Sequence, residues 1–140
     1  MSPILTPKYS APFAAGWIDA WNSRDLERIL KHYARDIEFT SPFVSQMLNS
    51  DNNTVRGMAL LRIYFTRALN AYPDLQFTLR RVYSGAQSLV IEYQGVSDRL
   101  AAELMEFNDS GLVVRANAHY AANRSRERSD DVKMPRTMHE

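Results

Sequence analysis

The chain has 140 residues, of which 45% are hydrophobic and 24% are charged, a composition typical of one ordinary globular domain. The formal net charge of +1 gives no general attraction to nucleic acid or to a membrane surface, and the absence of cysteine excludes disulfides, thiol catalysis and thiolate metal sites. Neither a secretory signal nor an apolar run long enough to cross a bilayer is visible, so we expect a cytoplasmic protein.

The first predicted helix begins at Pro12, because a proline without an N–H suits the first position of a helix. From there Phe13, Trp17 and Trp21 recur at every fourth position and predict one apolar stripe. Gly16 weakens the helix in this stretch and therefore indicates a close neighbour at that point. The two tryptophans are either plain core residues or part of the wall of a ligand pocket.

Two further helices are predicted on either side of a short strand and a long connection. Residues 24–34 are predicted to form the second helix, with an apolar face that ends at Tyr33. Residues 36–42 are predicted to form a strand, and residues 43–57 form a polar connection of a length that is often functional or mobile. Residues 58–72 are predicted to form the third helix. Its apolar positions are Leu61, Tyr64, Phe65, Ala68 and Leu69.

The second half of the chain is predicted to form four strands. Apolar and polar residues alternate along residues 75–85, 88–95, 101–107 and 112–120. A hairpin turn at residues 108–111 joins the last two strands. This order predicts an α+β cone, in which three N-terminal helices cover one face of a curved antiparallel sheet. We expect a single domain at residues 1–123 and a charged, flexible tail at residues 124–140.

Glu103 lies on the same predicted strand face as Met105 and Phe107, which is an unusual position for a carboxylate. Burial there would raise the pKa of Glu103 and suit the side chain for general acid or base catalysis. The alternative is a structural glutamate at the mouth of the cone, paired with an arginine. By the same alternation, Glu92 and Glu106 are predicted to lie on the outer face of the sheet.

The last strand is predicted to place Val114, Ala116, Ala118 and Tyr120 on the inner face of the sheet. The two alanines either leave space for a ligand or allow the helices to pack closely over the sheet. His119 falls on the outer face, where we expect an interface or structural role. Since the sequence has no metal-ligand spacing and no glycine-rich phosphate loop, we predict neither a metal site nor a cofactor.

Four segments occur in a characteristic order along the chain: "WIDAWNSRDLERILKHYARDIEFTSP", "RGMALLRIYFTRAL", "IEYQG" and "EFNDSGLVVRANAHY". Over residues 12–121 they resemble the nuclear transport factor 2-like superfamily, in particular its SnoaL-like polyketide cyclases and ketosteroid isomerases. The resemblance implies a bent sheet wrapped by helices, with a pocket for an apolar small molecule between them. It also implies a homodimer that packs through the outer sheet face.

The resemblance also assigns functional positions. The isomerases have a catalytic aspartate just before the proline that follows the first strand, where this chain has Ser41, and a hydrogen-bonding tyrosine in the first helix, where it has Trp17. A third aspartate, which donates a hydrogen bond in its protonated form, corresponds to Glu103, the implied catalytic residue. The implied substrate-binding residues are Trp17, Trp21, Tyr33, Ser41, Phe65, Ile91, Met105, Ala118 and Tyr120.

Three hypotheses about function follow. The first is an isomerase or cyclase that acts on an apolar carbonyl-containing substrate, with Glu103 as acid or base and Tyr33 or Trp17 assisting. The second is a non-catalytic binder of a hydrophobic small molecule, because Ser41 and Trp17 replace two residues on which the isomerases depend. The third is a dimeric interaction module that uses the outer face of the sheet.

Overall fold

The structure is a computed structural model that describes residues 7–122, so the predicted tail lies outside the described residues. The predicted α+β class is confirmed, because helices pack on a curved, unclosed sheet of six strands. The helices are α1 (Pro7–Ser23), α2 (Leu26–Leu30), α3 (Val44–Leu48) and α4 (Met58–Ala71). The strands are β1 (Tyr33–Thr40), β2 (Thr54–Arg56), β3 (Thr78–Gly85), β4 (Ser88–Gln94), β5 (Leu100–Phe107) and β6 (Val113–Tyr120).

The strands lie in the order β2-β1-β6-β5-β4-β3. Within the described part of the chain, β1 and β6 pair in parallel and every other pairing is antiparallel. The sequence had predicted an antiparallel sheet throughout, but the sheet is mixed. Parallel strands need a long crossover connection, and here most of the chain lies between β1 and β6 and provides it. Among the described helices, none combines the length and apolar character needed to cross a membrane.

The first helix begins earlier than predicted, at Pro7, and Pro12 lies inside it. Proline removes one helical hydrogen bond, so the additional N-terminal turn needs another source of stability. Ser10 supplies a contact there, because its hydroxyl lies 2.6 Å from the hydroxyl of Ser84 on β3. This tertiary contact could not be read from the local sequence.

The second helix is much shorter than residues 24–34, and Tyr33 begins β1 rather than ending a helical face. Asp25 caps the helix by accepting hydrogen bonds from the N–H groups of Glu27 and Arg28 at 3.1 and 3.3 Å. The chain leaves the helix two residues before Tyr33 because the strand there pairs with Val113 of β6. The strand turns the Tyr33 side chain into the interior.

The predicted polar connection at residues 43–57 contains helix α3 and strand β2. Strand β2 extends the sheet, with Val55 opposite Phe39 of β1. Val44 and Val55 are both buried in the core, which anchors this segment to the fold. The segment is therefore a structural part of the sheet edge and not an open loop.

A β-bulge interrupts the alternation in β6. Glu106 pairs with Arg115, but the next residue, Phe107, pairs with Val113, so Val114 is the extra residue. Val113 is fully buried and Val114 only half-buried. The bulge therefore places Val113 in the core beside Val114, which the strict alternation used in the prediction does not anticipate.

Candidate functional site

Glu103 lies at the centre of β5, between Ile91 of β4 and Ala118 of β6. Its side chain points to the inner face of the sheet, as the alternation predicts, and is 3% exposed. Both neighbours are buried and apolar, and Met105, two residues further along β5, is also buried. The carboxyl group is therefore enclosed by hydrocarbon on the strands that flank it.

The two oxygens of the Glu103 carboxyl group have different surroundings. The hydroxyl of Tyr93 donates a hydrogen bond of 3.0 Å to Oε1. Oε2 is buried and has no hydrogen-bond partner among residues 7–122. Burial raises the pKa of Glu103 to about 7, and the Tyr93 hydrogen bond opposes this rise. Near neutral pH the group is therefore present in both its protonated and ionised forms.

Tyr93 is a site residue that was not predicted. It lies on the same face of β4 as Ile91 and pairs with Ala101, the inward residue next to Glu103 along β5. A diagonal neighbour at this spacing is within reach of a long aromatic side chain. The alternation of β4 carried the relevant signal, but the register between β4 and β5 was needed to use it.

A chain of hydroxyl groups extends from Glu103 toward Ser41. The Tyr120 hydroxyl lies near enough to the hydroxyls of Ser41 and Tyr93, and the Tyr64 hydroxyl near enough to that of Ser41, to lower the pKa of Tyr120 and Tyr64, although only the contact of Tyr93 with Glu103 has regular hydrogen-bond geometry. Burial raises the pKa of Tyr64, Tyr93 and Tyr120, and the negative charge of Glu103 raises each further. The hydroxyls of Tyr64, Ser41, Tyr120 and Tyr93 and the carboxyl group of Glu103 therefore form one polar cluster, which we call the hydroxyl network, within an apolar interior.

Ser41 has a structural role within this cluster. It is fully buried, and its hydroxyl also accepts a hydrogen bond of 3.2 Å from the N–H of Phe43. The serine thus shapes the turn at Pro42 and lies beside two tyrosine hydroxyls. These tyrosines have a raised pKa and stay protonated, so neither would activate the Ser41 hydroxyl as a base.

Tyr33 and Trp17 form a second buried pair, because Nε1 of Trp17 donates a hydrogen bond of 3.0 Å to the Tyr33 hydroxyl. Burial raises the pKa of Tyr33 well above its usual range, and the charge of Glu103 adds to the rise. The indole of Trp21 lies near the Tyr33 hydroxyl and lowers its pKa. Within the described residues, however, Nε1 of Trp21 has no acceptor at regular hydrogen-bond geometry.

Aromatic contacts join the two groups of residues. The ring of Trp17 lies 5.2 Å from the ring of Tyr93, which bonds to Glu103. Phe65 lies 5.6 Å from Tyr33 and 4.8 Å from Trp21, measured between ring centroids. The structure therefore assembles the predicted site residues in one interior region, where the aromatic rings form a wall beside the polar cluster.

Tyr120 is the one predicted site residue that is half-buried rather than buried. Its ring stacks on that of Phe43, with centroids 4.6 Å apart and planes inclined by 30°. Phe43 immediately precedes α3, so the segment formed by α3 and β2 contacts the polar cluster directly. The stack is linked to Glu103 through Tyr120 and Tyr93, whose hydroxyls lie in the same polar cluster.

The residues predicted for the outer face lie away from this region. Glu92 accepts a hydrogen bond of 3.0 Å from the exposed Tyr83, and Glu106 pairs with Arg115 at 2.9 Å. His119 is exposed. Between residues 7 and 122, no cluster of three or more histidine or acidic side chains could hold a metal ion.

An open groove of about 310 Å³ lies on the surface formed by α1 and α2. Its lining residues are Gly16, Ala20, Arg28, Lys31 and His32. A Cβ at Gly16 would meet no atom within 4 Å, so the predicted close neighbour is absent and that prediction was wrong. The groove shares no residue with the Glu103 cluster.

A family model described as the SnoaL-like domain matches residues 14–124. A SnoaL-like protein of unknown function from Burkholderia thailandensis E264 is 38% identical, with a TM-score of 0.81, over 85% of this chain and 99% of that one. A candidate ketosteroid isomerase from Kribbella flavida DSM 17836 is 20% identical, with a TM-score of 0.63, over 89% of this chain and 87% of its own.

A protein with a cystatin-like fold from Methylobium petroleophilum PM1 is 18% identical, with a TM-score of 0.65, over 91% of this chain and 85% of that one. At 18% and 20% identity these two similarities establish the fold alone. No curated protein sequence matches this chain significantly.

Proposed function

We propose that this chain, which belongs to the SnoaL-like domain family, binds an apolar carbonyl-containing molecule and transfers a proton through Glu103. The observation that carries the proposal is the environment of Glu103. Its Oε1 is held by Tyr93, and its Oε2 has no partner among the described residues. A substrate atom is one partner that would complete its hydrogen bonding.

The pKa of Glu103 suits this chemistry. A group that titrates near 7 can accept a proton in its ionised form and return it in its protonated form. As a base, Oε2 takes a proton from the carbon next to the substrate carbonyl, and the C–H electron pair forms an enolate. Where the substrate has a double bond β,γ to the carbonyl, this enolate is a conjugated dienolate, and the same carboxyl group then delivers the proton to its γ-carbon, which moves the double bond into conjugation and completes an isomerisation.

The surrounding residues favour an apolar substrate. The side chains beside Glu103 are Ile91, Ala118 and Met105, and the nearby rings of Trp17 and Phe65 are almost fully buried. Since the indole N–H of Trp17 is already bonded to Tyr33, the hydroxyl of Tyr33 is the better placed of the two for assisting at the substrate oxygen. Its raised pKa keeps this hydroxyl protonated and able to donate.

Proton transfer is tested without knowing the natural substrate. A panel of cyclic ketones is incubated with the protein in D₂O, and exchange of the hydrogens next to the carbonyl is followed by NMR. We expect catalysed exchange for at least one apolar ketone and its loss in Glu103→Gln. Exchange that is equally fast in Glu103→Gln would exclude Glu103 as the proton-transfer group.

A second candidate function is non-catalytic binding of a hydrophobic small molecule. It is favoured by Ser41, which the family resemblance matches to the isomerase base but whose hydroxyl lies beside Tyr64 and Tyr120 and accepts a hydrogen bond from the N–H of Phe43. A ligand retained at one equivalent per chain and recovered chemically unchanged would favour this candidate. Conversion of the retained compound would favour the enzyme.

We also propose that the protein is a homodimer that packs through the outer face of the sheet. Val90, Ala102 and Leu104 lie side by side on β4 and β5 and are only half-buried. Charged residues flank them, with Arg115 between Glu38 and Glu106. A small apolar centre with a charged rim is the usual composition of a protein interface.

A further inference from the structure

Arg99 is a half-buried cation with no ion-pair partner among residues 7–122. It precedes β5, and its Nη1 is buried and has no hydrogen-bond acceptor within residues 7–122. The ion pairs formed in this part of the chain involve other arginines: Arg56, Arg62 and Arg115. A guanidinium withdrawn from water without an acceptor is unfavourable, so such a group requires an explanation.

The side chain of Arg99 faces the same side of the sheet as Glu103. Ala101 and Glu103 are both inward and buried, and Arg99 continues this alternation with an extended backbone at φ −75° and ψ 136°. Four strand residues separate the Cα atoms of Arg99 and Glu103 by about 13 Å. Burial and Tyr93 are the causes that act on the pKa of Glu103, so the two charges are not an ion pair.

Arg99 also lies at the end of the sheet where the hydroxyl network reaches the surface. Ala101 pairs with Tyr93 on one side and with Tyr120 on the other. The N–H of Ala121 donates to the carbonyl of Leu100 at 2.9 Å, which fixes the end of β6 beside Arg99. Arg99 is therefore close to the half-buried Tyr120 and farther from the interior than Glu103.

The turn before Arg99 has an uncommon backbone. Ser97 and Asp98 are consecutive non-glycine residues with φ values of 58° and 60°. The left-handed region is unfavourable for such residues, and strained positions of this kind cluster at functional sites. The N–H of Arg99 donates to Val96 at 3.1 Å and its carbonyl accepts from Gly95 at 2.9 Å. The backbone of Arg99 is thus held in place on both sides.

We propose that Arg99 binds an oxyanion of the ligand, in the simplest case a carboxylate, while Glu103 meets the ligand oxygen at the far end. This inference rests on the proposed function and adds a substrate class to it. The ligand would have an apolar body with a carbonyl or hydroxyl oxygen at one end and a carboxylate at the other. A guanidinium is suited to this role because its N–H groups match the two oxygens of a carboxylate.

Three fluorescent probes test binding at the Arg99 end and at the Glu103 end of the site separately. They are 2-naphthol, 6-hydroxy-2-naphthoic acid and the methyl ester of that acid. Their affinities are measured by fluorescence titration. We expect the acid to bind at least about tenfold more tightly than the ester, as a charge-assisted hydrogen bond would give. In Arg99→Met this preference should disappear, while the affinity for 2-naphthol stays the same. Arg81→Met, which removes an exposed arginine on β3, should leave all three affinities unchanged.

The outcomes distinguish the two proposals. Glu103→Gln should lower the affinity for all three probes. If 2-naphthol binding depends on Glu103 but the acid binds no more tightly than the ester, only the Arg99 subsite is overturned. If the affinity for 2-naphthol is the same in Glu103→Gln as in the parent protein, the proposed function is overturned. A preference for the acid that depends on Arg99 would then still support the oxyanion subsite.

Thermal unfolding provides a second readout. Because Arg99→Met removes an unpaired buried cation, its melting temperature should equal or exceed that of the parent protein. A markedly lower melting temperature would show that the guanidinium has a structural partner and would overturn the subsite.

Discussion

The hydroxyl of Tyr93 donates to Oε1 of Glu103 at 3.0 Å and leaves Oε2 buried without a partner among residues 7–122. One oxygen is thereby fixed in position, and the other remains available to a ligand atom. This asymmetry separates Glu103 from the outer-face carboxylates Glu92 and Glu106, which bond to exposed partners on the sheet surface. It is the structural basis for assigning the chemistry to Glu103.

Glu103 should make stability depend on pH in a defined direction. Its pKa in the folded protein is about 7, above the 4.5 of an ordinary glutamate, so the folded state binds the proton more tightly than the unfolded state. The stabilisation from this group is complete below about pH 4.5 and is lost as the pH rises through about 7. The difference is on the order of 3 kcal/mol.

Chemical denaturation at several pH values between 5 and 8 measures this effect. We expect the free energy of unfolding of the parent protein to fall relative to that of Glu103→Gln across this range, because the variant lacks the titrating group. A difference between the two proteins that stays constant with pH would mean that Glu103 does not titrate there.

Tyr93→Phe should destabilise the protein, because it leaves the buried Oε1 of Glu103 without its donor. We expect a loss of about 1–3 kcal/mol in the free energy of unfolding. The exposed pair of Tyr83 and Glu92 has the same chemistry and the same 3.0 Å distance on the outer face. Tyr83→Phe is therefore a matched control, and a loss as large as that of Tyr93→Phe would show that burial of the Glu103 pair is unimportant.

Removal of the Ser41 hydroxyl should disturb the tyrosine network. Ser41→Ala leaves the N–H of Phe43 without its acceptor and removes the hydroxyl that lies beside Tyr64 and Tyr120, so we expect the free energy of unfolding to fall by about 1–3 kcal/mol. Ser110→Ala, in an exposed hairpin turn, should change stability by at most about 0.5 kcal/mol. Equal stability of Ser41→Ala and the parent protein would contradict the network.

Phe43→Ala should speed access to the site, because Glu103 is 3% exposed and Phe43 stacks on Tyr120 at the half-buried end of the network. We expect a higher association rate for 2-naphthol in stopped-flow fluorescence. The free energy of unfolding should fall by about 1 kcal/mol, because the aromatic pair is lost. Phe13→Ala removes a ring that contacts His32 and Phe107 instead. If both variants change the association rate equally, Phe43 has no special role in access.

The proposed homodimer predicts a particle mass of twice 16.1 kDa in sedimentation equilibrium. Leu104→Arg places a charge at the apolar centre of the outer face, so we expect it to produce monomers without unfolding the protein. Arg81→Ala, at an exposed position on the edge strand, should leave the mass unchanged. A parent protein that sediments as a monomer would refute the dimer.

The inner faces of β4 and β5 could be predicted from sequence, because a period of two places Ile91, Glu103 and Met105 inward without knowledge of tertiary contacts. The burial of Val113 was not predicted, because a bulge breaks that period. Tyr33 was assigned to a helix because its apolar spacing continues from α2, whereas pairing with Val113 draws it into β1. Local patterns do not contain such pairings.

The polar partners of the site were harder to predict. Tyr93 and Tyr64 occupy ordinary apolar positions in β4 and α4, and only the packing of these elements brings their hydroxyls to Glu103 and Ser41. Arg99 lies in a connection without periodicity, and its unpaired nitrogen is a property of the folded structure. Hydrogen-bond partners distant in sequence therefore required the structure.

The most direct test of the proposed role of Glu103 is a pH titration of its carboxyl carbon by ¹³C NMR, with the resonance assigned by its absence in Glu103→Gln. We expect a midpoint near 7, because burial raises the pKa of this group. A midpoint near 4.5, the value of an ordinary glutamate, would contradict the claim that Glu103 is a buried proton-transfer group.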